Sequence, residues 1–226
     1  MNIFHLHKWD LDFTQAKALQ HELQPKLNLN WQDNKIQTIA GCDVSGEFKG
    51  KRFYAAVVAM SYPELDFIEQ ASASGEISFP YVPGLLSFRE MPVLLRAFEG
   101  LQTAPDVIFC DGSGTIHPRK FGLACHLGLW LNLPVIGVAK NLLCGEYYEV
   151  GNNKGDWSPV YYAGETVGAA LRSRTGVRPI FISPGNHITI EKALEFTLQT
   201  CTAYRLPQSI RAAHHQANFF RKFGKQ

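Results

Sequence analysis

The sequence has no apolar run long enough to span a bilayer. The longest, residues 127–138, is broken by Asn132 and Pro134 and falls short of the roughly 18–20 residues a membrane helix needs. Residues 1–12 lack the basic region and small-residue cleavage site of a secretory signal, since His5, His7 and Asp10 interrupt any apolar stretch, so a cytoplasmic protein is expected. The five cysteines, Cys42, Cys110, Cys125, Cys144 and Cys201, contain no C-x-x-C pair. That leaves no disulfide framework and no zinc site, and predicts buried free thiols. A net charge of +2 neither indicates nor excludes nucleic acid, whose footprint must be local to be informative. There is no internal repeat and no low-complexity linker.

What is present is an ordinary globular composition, 226 residues with 46% hydrophobic and 19% charged, which predicts one soluble domain over residues 1–226, a monomer with no membrane segment. Ala16, Leu19 and Leu23 fall at helical spacing within residues 12–24, before Pro25 ends the regularity, and that helix reads as structural. Residues 36–44, 53–61 and 65–71 are strand-like, separated by Gly46, Gly50 and Pro63, and fit three antiparallel strands. The pattern then changes to helix 87–101, buried strand 107–111, helix 118–131 and buried strand 134–138. A loop at 151–155, a hairpin at 160–171 around Gly164 and, after residues 179–182, helices at 187–200 and 207–222 complete the chain. Antiparallel strands followed by β-α-β units predict a mixed α/β sheet with helices on both faces.

Several residues are out of place for packing alone. Asp43 lies inside a β-like run in which Ile39, Gly41, Asp43 and Ser45 share one face, and a buried aspartate there needs a cation or several donors unless it only caps the turn before Gly46. Asp111 closes the apolar run Val107-Ile108-Phe109-Cys110 before Gly112-Ser113-Gly114, at the strand edge where open α/β sheets bind ligands. Glu90 begins a helical stretch, where a carboxylate also suits the helix dipole. Carboxylates converging from two strands and a helix are what a hard divalent cation, magnesium or manganese, requires. On the last helix, Ile210, His214 and Ala217 share one face and Arg211, His215 and Asn218 another, so His214 should point inward, as a ligand or as a satisfied core residue. Gly112-Ser113-Gly114 lacks the G-x-S-x-G elbow of a serine hydrolase. Pro80-Tyr81-Val82-Pro83-Gly84 reads as a stiffened loop that either presents an aromatic ring or packs it on the core.

Taken together, Ala40-Gly41-Cys42-Asp43-Val44-Ser45, the stretch from Pro80 to Glu90, and Asp111-Gly112-Ser113-Gly114 resemble, in order and spacing, the first three motifs of the endonuclease V family. The similarity continues through His117-Pro118-Arg119, Gly122 to Gly128, Pro134 to Lys140, Ser183-Pro184-Gly185-Asn186-His187 and Arg205-Leu206-Pro207, covering about residues 36–218. The resemblance implies a ribonuclease H-like fold, magnesium as cofactor (manganese as substitute), and hydrolysis on the 3′ side of a deaminated purine, usually at the second phosphodiester, leaving a 5′-phosphate, in DNA repair. The implied partner is DNA containing deaminated bases such as hypoxanthine, or inosine-containing RNA. It assigns Asp43, Glu90, Asp111 and His214 to the metal, Lys140 to the scissile phosphate, Pro80, Tyr81, Val82 and Pro83 to a wedge in the base stack, and Gly84, Leu86, Gly112, His117 and Gly122 to a pocket for the displaced base. Many relatives carry Asp-Gly-His-Gly where this chain has Ser113, and Pro-Glu-Pro-Thr-Arg where it has Pro207-Gln208-Ser209-Ile210-Arg211. These departures bear on substrate preference and rate. A non-catalytic nucleic-acid-binding protein would not need Asp43, Glu90, Asp111 and Lys140 together, and a resolvase-like nuclease would not need the Pro80–Gly84 loop.

Overall fold

A computed structural model describes residues 1–46 and 51–224; Gly50, one of the expected strand separators, lies outside them. One nine-stranded mixed sheet organises the chain. Its first strands, β1 (Thr38–Gly46), β2 (Arg52–Ser61) and β3 (Phe67–Glu76), form the expected antiparallel meander. β4 (Val107–Asp111) and β5 (Val135–Ala139) then add in parallel beside β1. The parallel part ends there, because β9 (Ile180–Asn186) joins β5 antiparallel and β8 (Glu165–Leu171), β7 (Trp157–Tyr162) and the two-residue β6 (Glu146–Tyr147) continue antiparallel to the edge. The order across the sheet is β3-β2-β1-β4-β5-β9-β8-β7-β6.

Strand periodicity sends alternate residues to two cores. Ala40, Cys42, Ile108 and Cys110 pack against α2 (Leu86–Glu99) and α3 (Leu123–Leu131), while Ile39, Val107 and Phe109 face α4 (Ile190–Thr200) and α5 (Gln208–Phe223). Central strands covered on both faces read as unbroken apolar runs, as residues 107–110 do. α1 (Phe13–Leu23) starts at a capping box in which Asp12 accepts from the Gln15 backbone N–H, and it buries Ala16, Gln20 and Leu23. α3 begins five residues later than its periodicity predicts. Residues 118–122 form a turn in which Lys120 takes a positive φ of 48°, a conformation that cannot continue a right-handed helix. The five cysteines are free, and all but Cys144 are buried. Among the described residues no helix is long and apolar enough to cross a membrane.

Candidate active site

Cys42 and Cys110 are the last register partners on the parallel strands β1 and β4, so Asp43 and Asp111, the next residue on each, lie side by side where that pairing ends. Asp111 is at the carboxyl end of β4, and Asp43 is within β1, which runs on to Gly46 beside β2. α5 crosses this edge and supplies His214, whose Nδ1 lies 2.6 Å from Asp43 Oδ2. That approach depends on Gly41, where a Cβ would stand 2.1 Å from the Ser209 carbonyl carbon; without a side chain the strand lets the helix backbone close on it. One ligand atom from each of Asp43, Asp111 and His214 lies within 4.8 Å of the others, an oxygen and nitrogen donor set with no thiolate. Burial, and then the adjacent Asp111 charge, raise the Asp43 pKa against the lowering effect of its His214 bond. Glu90 of α2 is outside this trio but senses it: burial first, then Asp43 and Asp111, push its carboxyl up to about 8. Lys140 stands just beyond β5 with Nζ 2.7 Å from Asp111 Oδ2.

The helical phase of α5 differs in detail from the pattern in the sequence. The buried stripe is Ser209, Ile210, Ala213 and Ala217, and the His214 side chain remains 56% exposed. Close approach at Gly41 brings the Ser209–Ile210 backbone onto β1, and the imidazole projects from the flank of the buried stripe. Asn218, grouped by spacing with Arg211 and His215, belongs to the site instead: its Nδ2 lies 3.1 Å from His214 Nε2 while its Oδ1 accepts from Ser45 Oγ at 2.8 Å. His215 lines a separate surface groove with Tyr204 and Arg211.

Beside Asp111 opens a cavity of about 390 Å³, within the range of small-ligand sites. Tyr81, Val82, Pro83, Gly84 and Leu86 form one wall, Gly112, His117 and Gly122 another, and Lys140 reaches the rim. Pro80 is exposed and outside this lining. Tyr81 is 56% exposed, so the loop presents its ring and does not pack it into the core. Gly84 takes a φ of +77°, and a Cβ there would lie 2.7 Å from Arg119 Nη2. His117 Nδ1 accepts from the Arg119 backbone N–H at 3.1 Å and its Nε2 lies 2.9 Å from the Gly84 carbonyl oxygen, which fixes the tautomer with the proton on Nε2. Burial lowers its pKa to about 4, so the ring is neutral near pH 7. Ser113 is on the cavity wall, whereas Ser209 and Ile210 are fully buried and Gln208 lines the groove of His215, so the second departure from the family pattern lies away from the cavity. Gln20 and Ser87 also line the cavity. Neither is visible to periodicity, which marks where a side chain points but not whether its polar end is used.

The Endonuclease V family model matches residues 20–215. An endonuclease V of Dehalococcoides mccartyi is 46% identical over 209 residues, 92% of this chain and 94% of that protein. The crystal structure of the Bacillus subtilis endonuclease V superposes with a TM-score of 0.94 at 32% identity, covering 100% of this chain and 99% of that one. The Ciona intestinalis endonuclease V, solved with a 24mer DNA containing an inosine followed by a ribo-adenosine, superposes with a TM-score of 0.82 at 25% identity over 92% of this chain and 97% of that one. With the paired aspartates of β1 and β4, the ribonuclease H-like sheet and a family match that spans most of its length, the chain belongs to the endonuclease V family.

Proposed function

We propose that Asp43, Asp111 and His214 hold a magnesium ion with which this chain hydrolyses DNA on the 3′ side of inosine, usually at the second phosphodiester, leaving a 5′-phosphate. As an endonuclease V the chain is a nuclease of DNA repair that cleaves near deaminated bases. The convergence of two carboxylates and an imidazole within 4.8 Å carries the metal assignment, because hard oxygen and nitrogen donors at a strand edge suit a divalent cation. When bound, such an ion lowers the pKa of water and polarises the phosphoryl oxygen. Glu90 supports the centre from α2. Lys140, already 2.7 Å from Asp111, supplies positive charge where negative charge grows on the phosphate, at a preorganised position. The cavity beside it receives the extruded base, and Tyr81, held between Pro80 and Pro83, fills the gap left in the stack. The inosine-containing DNA held by the Ciona intestinalis relative supports this reading.

The test is cleavage of labelled inosine-containing DNA and RNA with and without magnesium, by the wild type and by Asp43→Ala and Asp111→Ala. Each variant should lose cleavage while keeping its melting temperature and nucleic-acid affinity, since each removes a ligand and no core packing. Magnesium-dependent cutting that survives in either one would overturn the assignment.

A further inference from the structure

The carbonyl oxygen of Gly84 gathers three donors. Gln20 Nε2 lies 3.1 Å away, His117 Nε2 2.9 Å and Arg119 Nη2 2.7 Å, more than the two lone pairs of a carbonyl would ordinarily serve. The amide of Gln20 is in use at both ends. Its Nε2 also donates to the Phe121 carbonyl at 2.9 Å, and its Oε1 accepts from Arg119 Nε at 2.5 Å.

Gly84 belongs to the loop that carries Tyr81, and Phe121 adjoins Gly122 on the facing wall. Gln20 therefore bridges the two walls of the base cavity from α1, an element with no other residue in the cavity lining. It is 1% exposed, on the same buried face as Ala16 and Leu23. A polar side chain at that depth is costly unless fully paired, and simple packing would be met by leucine.

We infer that Gln20, acting with Arg119, is a positioning residue that sets the separation of the two cavity walls and through it the preference for inosine over unmodified adenosine. Hypoxanthine differs from adenine in one exocyclic group and one ring proton, so discrimination needs walls held to about 0.5 Å. A polar bridge with fixed bond lengths does this where apolar contact would let the loop slide. The inference rests on the proposed recognition of inosine in this cavity.

The experiment compares wild type with Gln20→Met, which keeps the volume and removes the donors, with Arg119→Lys, and with the double variant. It uses duplexes that differ only in inosine or adenosine at one position, with kcat and KM measured separately. Binding of Mn2+ alone to the free protein, and melting temperature, are followed in parallel. Each single variant should lower the inosine-to-adenosine ratio of kcat/KM by about tenfold or more and leave Mn2+ affinity unchanged. The double variant should lose little further, because both residues act through one network. A folded variant whose ratio equals that of wild type overturns the clamp. Should Gln20→Met fail to fold, the partly exposed Arg119→Lys decides alone. A wild type without inosine preference overturns the proposed function and the clamp with it, whereas a preference that survives both substitutions overturns only the clamp.

Discussion

Asp43 lies within β1 among largely buried neighbours, and its charge is tolerable there only beside a compensating partner. The structure supplies one in His214, at 2.6 Å. His214→Ala should therefore weaken metal binding and cleavage by about tenfold or more, while His215→Ala, which lies on the separate groove, leaves both nearly unchanged; Mn2+ titration beside cleavage assays decides, and equal losses would remove His214 from the site. Tyr81 is more than half exposed, so Tyr81→Ala should scarcely alter the melting curve. It should cost about 1–3 kcal/mol of stacking on an inosine duplex, with a smaller effect on single-stranded substrate, whose base needs no extrusion. A matched fall in both cleavage rates together with a lower melting temperature would refute the wedge. Asp43 and Asp111 were legible because charge inside an apolar run is conspicuous. Glu90, at the start of a helical stretch, was weak alone and gained meaning only beside the two aspartates, and Lys140 came through resemblance. Gln20 was hidden, since an amide on an amphipathic helix looks the same whether it meets water or a carbonyl.

Among the elements, the contact of β1 with α5 matters most to the site. Gly41→Ala would push a methyl group against the Ser209 backbone, and overpacking of this kind costs about 1–3 kcal/mol. The expected result is a lower melting temperature and weaker Mn2+ binding, because α5 must move and carry His214 with it; an unchanged Mn2+ affinity would mean that the helix position does not govern the centre. The meander, the two β-α-β strands and the terminal helices could all be read from periodicity. What could not be read was the direction in which β9 joins the sheet, so its antiparallel junction with β5 had no local signal. The two-residue β6 is too short to leave a pattern. The late start of α3 follows from the backbone geometry at Lys120, which residue hydrophobicity does not encode.

Across the whole molecule, buried ionisable groups set opposing responses to pH. Burial lowers the pKa of His117 to about 4 and depresses His126 and His7 as well. Between those values and the unfolded-state value near 6.5 the unfolded chain binds more protons, so these histidines make stability fall as pH drops through that window. For His117 alone the loss is about 3 kcal/mol. Glu90, raised to about 8, acts in the opposite sense, because the folded state takes up its proton first. The difference between proteins isolates the histidine: the melting temperature of His117→Gln relative to wild type should climb as pH falls from about 6.5 to 4, and a difference independent of pH would contradict the neutral, buried assignment. The pairing of β1 with β4 has a consequence of another kind. Cys42 and Cys110 are held in register by backbone hydrogen bonds, and neighbouring strands keep a spacing of about 4.8 Å whatever their side chains. The strands thus act as a ruler for the two aspartates, insulated from substitutions elsewhere. Ser113 lies on the cavity wall beyond the β1–β4 pairing, so a change of side chain there leaves the spacing of the two carboxylates as it is.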